Sequence, residues 1–384
     1  MYPSPSAMQW GEEARSVSRA FLALKNGAVF SGWVVGKTPA LGEVVFNTAM
    51  FGYQEMLTDP SYRGQILVLT TPHVGVVGTN PDDWESSRVW AAGLVVQDLQ
   101  LEPSNWRATG NLLDLARSSQ VPLGFGFDTR ALVMHLRQYG SLPGALVASA
   151  DPSHAKALAQ QASGTDGCDL TEAVTCPEVR GWEEPPWREA AAFGQVRVGV
   201  LDLGVKASIL RRLIAAGAEV VRLPRRISAT EVAALGLDGL VISNGPGDPA
   251  AVSQVVGTIS QLLGRLTLLG ICLGHQLLAL ALGGRTYKLK FGHHGANHPV
   301  QVLATGEVWV TAQNHNYAVD GSSLPANVAV SMVNLTDGSV EGLVAEGLNA
   351  EGVQFHPEAG PGPHEGFRVF SDFVGRCRAW GSSR

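Results

Sequence analysis

The string Gly270-Ile271-Cys272-Leu273-Gly274-His275-Gln276 restricts the fold more than any other part of this chain. An apolar run from Leu266 leads into it and a second apolar run, from Leu277, leaves it. The spacing reads as a buried strand that breaks within a few residues into a helix. G-x-C-x-G has the shape of a nucleophile elbow, more familiar with Ser at its centre. Such a turn holds its central residue in a strained backbone state, and glycines leave room for the close approach. It belongs in a fold that alternates strands and helices.

That alternation is present from Val196 onward. VRVGVLDLG reads as a strand, Lys206–Ala216 as an amphipathic helix and AEVVRLP as a strand. GLDGLVISNGPGDP is a strand ending in a Gly-rich turn, and Val252–Leu263 reads as a helix. The pattern predicts an α/β fold over 196–384: an open, mostly parallel sheet flanked by helices, with its motifs at the carboxyl ends of the strands.

Residues 20–150 read differently. GAVFSGWVVG, GEVVFNTAM, GQILVLTTP and AAGLVVQDL are short strand-like runs separated by turn residues. Helical periodicity is confined to Asn111–Arg117 and Thr129–Gln138, so this half is expected to be a mixed, β-rich domain. Residues 151–195, with Pro185 and Pro186, are poor in pattern and read as a connecting segment. Residues 1–19 contain Glu12 and Glu13 and no apolar h-region. They read as a loose leader, with Met8 a candidate start, and not as a signal peptide.

Composition excludes several classes. With 45% hydrophobic and 16% charged residues in 384, the chain can bury real cores and is not extensively disordered. A net charge of −6 gives no basic footprint for nucleic acid. No apolar run approaches the roughly 20 residues of a membrane span. The four cysteines form no CxxC pair, which suits free thiols in a reducing cytoplasm.

Cys272 is the candidate nucleophile. At a helix N-terminus it meets the positive end of the macrodipole, which favours thiolate and should lower its pKa. The N–H of Leu273 is expected to face a developing oxyanion. Cys168, Cys176 and Cys377 read as inert thiols.

A cysteine nucleophile needs a base, and the base an orienting partner. Of ten histidines, His356 fits best, at the end of the strand GVQFHPE before Pro357. Glu358 lies two residues on, on the same side of an extended chain, and can hold one ring nitrogen. His275 reads as a packing residue. In FGHHGANHPV, His294 and His298 are four apart, as in helical zinc pairs, but Gly292, Gly295 and Pro299 oppose a helix. No metal is expected there, and the stretch reads as a loop supporting the site. Gly245–Pro249 reads as a nest-like turn and Gln313–Tyr317 as a polar loop between two strands.

GPGDP at 245–249, GICLGHQ at 270–276 and HPE at 356–358 resemble the class I (triad) glutamine amidotransferases, whose domain is flavodoxin-like. FNTAMFGYQEMLTDPSY at 46–62, TPHVGVVGTN at 71–80, FDTRAL at 127–132, FGHHGANHPV at 291–300 and QNHNYAVD at 313–320 resemble the small subunits of carbamoyl-phosphate synthetases. The resemblance covers nearly the whole chain beyond the leader. It implies that Cys272 is the nucleophile, His356 the general base and acid, and Glu358 its orienter. It also implies oxyanion N–H groups from Leu273 and Gly245, and glutamine binding by Gly247, Gln276, Asn314, Asn316 and Tyr317.

The resemblance further implies a large synthetase subunit as partner, fed with ammonia through an internal tunnel and docked largely by residues 20–150. Carbamoyl phosphate made there would serve arginine and pyrimidine biosynthesis. This chain is expected to bind no cofactor; ATP and Mg²⁺ would sit on the partner, and no G-x-x-x-x-G-K-[ST] loop occurs here. Two positions depart from the family. Ala49 stands where Ser is frequent, and Asn316 where Gly is frequent, although Asn tolerates left-handed backbone. Rival readings are the glutaminase subunit of a different synthetase, a non-catalytic regulatory homologue, and a cysteine peptidase of related fold.

Overall fold

The computed structural model describes residues 17–187, 189, 194 and 196–381. Of the expected leader, residues 1–16 lie outside that range, while Ser18 and Arg19 open the first strand, Ser18–Leu24. The chain divides into two units, 1–165 and 166–384.

The first unit is a closed seven-stranded barrel. Around it run Ser18–Leu24, Val29–Val35, Leu123–Phe125, Gly93–Val95, Gln65–Leu69, Ala40–Asn47 and Leu142–Ala148, the last pairing back to the first. Closure removes the sheet edges. Gln65–Leu69 is buried along its whole length rather than alternately, because helix Thr129–Tyr139 and the turn Pro60–Tyr62 pack against it outside the barrel ladder.

Helix Pro152–Gln161 starts at Asp151, whose carboxylate accepts the Ser153 N–H. It lays Ala155 and Ala159, four residues apart, on Phe21, Ala23, Ala145 and Val147. Residues 152–161 are therefore part of this unit's packing and not a plain connection as the sequence reading expected; two alanines are too weak a stripe to announce the helix. Thr165 closes the unit by donating its hydroxyl to the buried Glu43 Oε2 at 2.7 Å.

The second unit is built on a ten-stranded sheet. Its centre is parallel, in the order Ala218–Pro224, Val196–Asp202, Gly239–Ile242, Thr267–Ile271, Ala350–Val353. Successive residues of these strands feed opposite cores. Leu240, Ile242 and Leu268 meet Val255 and Ile259 of helix Ser253–Leu262 and Leu277 of helix Leu273–Ala281. Val241, Leu269 and Ile271 meet Ile209 and Leu213 of helix Ala207–Ala215 and Phe370 and Phe373 of helix Arg368–Gly381. Both faces are covered, as parallel strands require.

Beyond this centre the sheet continues antiparallel through Val340–Ala345, Ala329–Asn334, Arg285–Val302 and Val308–Asp320. Two sequence expectations fail here. Gln313–Tyr317 was expected in a loop, and it lies inside strand Val308–Asp320. FGHHGANHPV was also expected as a loop, and it lies inside strand Arg285–Val302. Each supplies the other's backbone partners, with His293 opposite His315 and His294 opposite Asn314. Gly292 falls within a register shift between Lys288 and His293, a second shift lies between Gly295 and His298, and Gly295 and Pro299 themselves pair with Gln313 and Val310. Among the described residues, no helix is long and apolar enough to cross a membrane.

Candidate active site

Cys272 sits between strand Thr267–Ile271 and helix Leu273–Ala281 with φ 54° and ψ −104°. That strained backbone is the elbow expected from the sequence. The flanking glycines are steric requirements. A Cβ on Gly270 would fall 2.6 Å from Gly274 O, and one on Gly274 would overlap the Ile242 carbonyl. The Cys272 N–H donates to Val353 O at 2.9 Å, which ties the turn to strand Ala350–Val353. Its thiol donates to Asn314 O at 3.5 Å.

Three residues beyond that strand, the His356 N–H donates to Ala312 O at 2.8 Å. The ring's Nδ1 lies 2.6 Å from Glu358 Oε1, while Nε2 is buried and the Cys272 sulfur interacts with the ring. Burial opposes charge on the ring, but the Glu358 carboxylate and the Cys272 sulfur outweigh it and push the pKa up to about 10. Burial also opposes charge on Glu358, but Lys206 and His356 hold its carboxyl down to about 2.

Lys206 escaped the sequence reading. Its side chain is buried, with Nζ 3.1 Å from Glu358 Oε1 and bonded to the Ala359 and Gly360 carbonyls. It stands at the N-cap of helix Ala207–Ala215, after strand Val196–Asp202. A lysine opening an amphipathic helix looks like a solvated end; only the fold reveals that it faces a carboxylate 152 positions away.

The expected pocket residues lie around this core. Gly245 passes so close to the Leu203 carbonyl that a Cβ would overlap it. Gly247, at φ 101°, lies under the Cys168 carbonyl, with 2.5 Å left for a Cβ. The segment Asp166–Leu170 thus crosses the GPGDP turn, and Asp248 N–H donates to Cys168 O at 3.0 Å. Gln276 Nε2 donates to Tyr317 O at 2.8 Å and to Gln354 Oε1 at 3.1 Å. His294 bridges the Asn314 and Asn316 side chains at 2.9 and 3.0 Å. Asn316 keeps a negative φ, so the left-handed tolerance considered for it is not called upon. The Tyr317 hydroxyl donates to Asp166 Oδ1 at 2.6 Å, and Lys288 Nζ lies 2.7 Å from the same oxygen.

His275 is a packing residue, as expected: it is fully buried against Gly352, and burial pushes its pKa down to about 4. Cys377 is buried in the core and Cys176 beside Asp202; burial pushes each up to about 12, the opposite of an activated thiol.

Similarity to known proteins agrees with this geometry. Residues 199–375 match the family model described as glutamine amidotransferase class-I, and residues 22–146 the one described as carbamoyl-phosphate synthase small chain, CPSase domain. Among similar proteins named carbamoyl phosphate synthase small chain, that of Syntrophotalea carbinolica is 46% identical over 93% of this chain and 97% of its own. That of Pseudomonas aeruginosa is 45% identical over 92% and 97%. The Arabidopsis thaliana protein, named as the chloroplastic small chain, is 42% identical over 92% of this chain and 84% of its own.

Proposed function

This chain belongs to the family of carbamoyl phosphate synthase small chains, the glutamine-hydrolysing subunits, and on that premise we propose that Cys272, His356 and Glu358 hydrolyse glutamine through a γ-glutamyl thioester. The observation that carries this reading is the 2.6 Å bond from His356 to Glu358 beside a cysteine held at φ 54°.

The Cys272 thiolate attacks the side-chain carbonyl carbon of glutamine, and the C=O electron pair moves onto oxygen. Backbone N–H groups of Leu273 and Gly245 receive that oxyanion, each such donor being worth about 3–4 kcal/mol in related chemistry. Imidazolium His356 gives its proton to the departing nitrogen. The C–N bond breaks, ammonia leaves and the thioester remains. Neutral His356 then takes a proton from water as its oxygen attacks the thioester. Collapse breaks the C–S bond, releasing glutamate and restoring thiolate and imidazolium. Glu358 holds the ring through Nδ1 and stabilises its charge throughout. Glutamine is held by Gly247, Gln276, Asn314, Asn316 and Tyr317.

The ammonia passes to a large synthetase subunit that combines it with bicarbonate and ATP into carbamoyl phosphate, for arginine and pyrimidine biosynthesis. ATP and Mg²⁺ act on that partner. The match over residues 22–146 supports this partner over the synthetases served by other class I amidotransferases. The test is reconstitution with a large subunit. Glutamine should support carbamoyl phosphate synthesis with wild-type chain and not with Cys272→Ser, whereas free ammonia should support it with both. Equal glutamine-dependent synthesis by the two chains would defeat the proposal.

A further inference from the structure

A cluster of acceptor atoms that the glutamine chemistry does not use lies within the antiparallel part of the sheet. His293 and His315 face each other across strands Arg285–Val302 and Val308–Asp320, with ring centroids 5.0 Å apart. Glu341 enters from strand Val340–Ala345 and is fully buried. One atom from each of the three lies within 4.8 Å of the others.

The hydrogen bonds around them show which ring nitrogens are already engaged. His293 Nε2 lies 2.9 Å from Asp337 Oδ2, so that nitrogen carries the proton. In the neutral ring its Nδ1 presents a lone pair; it is buried without a hydrogen-bond partner, 3.9 Å from Glu341 Oε1. His315 Nδ1 lies 2.7 Å from the Tyr317 carbonyl and must donate, which leaves a lone pair on Nε2. That lone pair faces Gln313 Oε1, another acceptor, at 3.0 Å. With Glu341 ionised, flipping the Gln313 amide does not relieve this. Its Nε2 already donates to Glu341 Oε2 at 2.9 Å and to Thr311 Oγ1 at 3.0 Å, and a flip would turn oxygen onto the carboxylate. Glu341 Oε1 accepts from Asn334 Nδ2 at 2.8 Å.

Acceptors that converge without a proton between them are costly in a buried site unless a cation joins them. A second proton on His315 would place charge on a ring buried among other imidazoles. The surroundings are those of metal-ligating histidines. One ring nitrogen of each histidine is held by a carboxylate or a backbone carbonyl, which aims the other inward. Ligand atoms around tetrahedral zinc lie about 3.4 Å apart, within a small side-chain adjustment of the separations here.

We propose that His293 Nδ1, His315 Nε2 and the Glu341 carboxylate form a structural site for a divalent transition metal, zinc being the ion their nitrogen and oxygen donors suit, with Gln313 Oε1 adjacent for a fourth position. The ion ties together the three strands of this region. One of them carries Asn314 and Asn316, so the site braces the region beside Cys272 without entering the reaction. This differs from the expectation of no metal, which considered His294 and His298. His294 is instead engaged by Asn314 and Asn316.

The test is zinc binding to the full-length chain after dialysis against chelator, measured by elemental analysis after gel filtration. Wild type should retain about one zinc per chain and gain thermal stability with it. Cys272→Ser should retain the same amount, which separates this site from the catalytic thiol. Glu341→Gln, which keeps the side chain's shape, and His293→Ala should each weaken binding at least tenfold. Cobalt in place of zinc should give the visible absorption of a tetrahedral site. Absence of bound zinc and of the cobalt spectrum in folded wild type would overturn the proposal. Undiminished binding by Glu341→Gln and His293→Ala would overturn it equally.

Discussion

The Lys206 ammonium lies 3.1 Å from Glu358 Oε1, the oxygen that also takes the hydrogen bond of His356 Nδ1. All three side chains are buried. The charge on His356 is therefore set from two steps away: Lys206 keeps Glu358 ionised, and Glu358 favours the imidazolium.

Removing the ammonium leaves the carboxylate uncompensated. Lys206→Met is expected to cost about 3–5 kcal/mol of stability, the usual result of breaking a buried ion pair from one side. Chemical denaturation of the two proteins under one buffer measures it; an unchanged midpoint would contradict the assignment.

Glu358→Gln keeps the shape but not the charge. A glutaminase kcat lower by about 10²–10⁴-fold is expected, with KM altered far less, since the group acts through His356 rather than on glutamine. Steady-state kinetics on the folded variant separates the two parameters.

The pair also gives stability a pH dependence. His356 binds its proton more tightly in the folded chain, so its contribution is complete below about 6.5 and lost as pH rises through about 10. Glu358 behaves oppositely: its contribution is complete above about 4.5 and lost as pH falls through about 2. Stability from this pair should therefore be greatest between pH 4.5 and 6.5 and fall toward alkaline pH. Urea midpoints across pH 5–10 should show an alkaline decline that His356→Asn flattens.

Gly274→Ala places a methyl group on the Ile242 carbonyl. Overpacking of this kind costs about 1–3 kcal/mol, and here it shifts the helix that Cys272 opens. Glutaminase activity should fall more than stability alone explains, as read by activity per folded molecule.

Tyr317→Phe removes the hydroxyl that reaches Asp166. A loss of about 1 kcal/mol is expected, with a few-fold rise in KM for glutamine and kcat nearly unchanged. A large fall in kcat instead would show that the bond acts on the chemistry.

The elbow was legible in the sequence because its physics is local. Two glycines, a cysteine and the change from strand to helix are contiguous, and the backbone angle of Cys272 follows from them. His356 and Glu358 were legible for the same reason, being two positions apart. Lys206 was not, since its partner lies far along the chain. The histidine strands misled for a related reason. Gly292, Gly295 and Pro299 argue locally for a loop, but His293 and His315 meet through long-range pairing that overrides them. The helix over 152–161 was hidden because alanines carry little hydropathic contrast.

The central claim is that Cys272 takes the glutamyl group. Acid quench of the wild-type chain during turnover of labelled glutamine, followed by peptide mapping, tests it directly. Label is expected on the peptide bearing Cys272 and absent from Cys272→Ser. Ammonia release at the wild-type rate by Cys272→Ser, with no labelled cysteine in either chain, would contradict it.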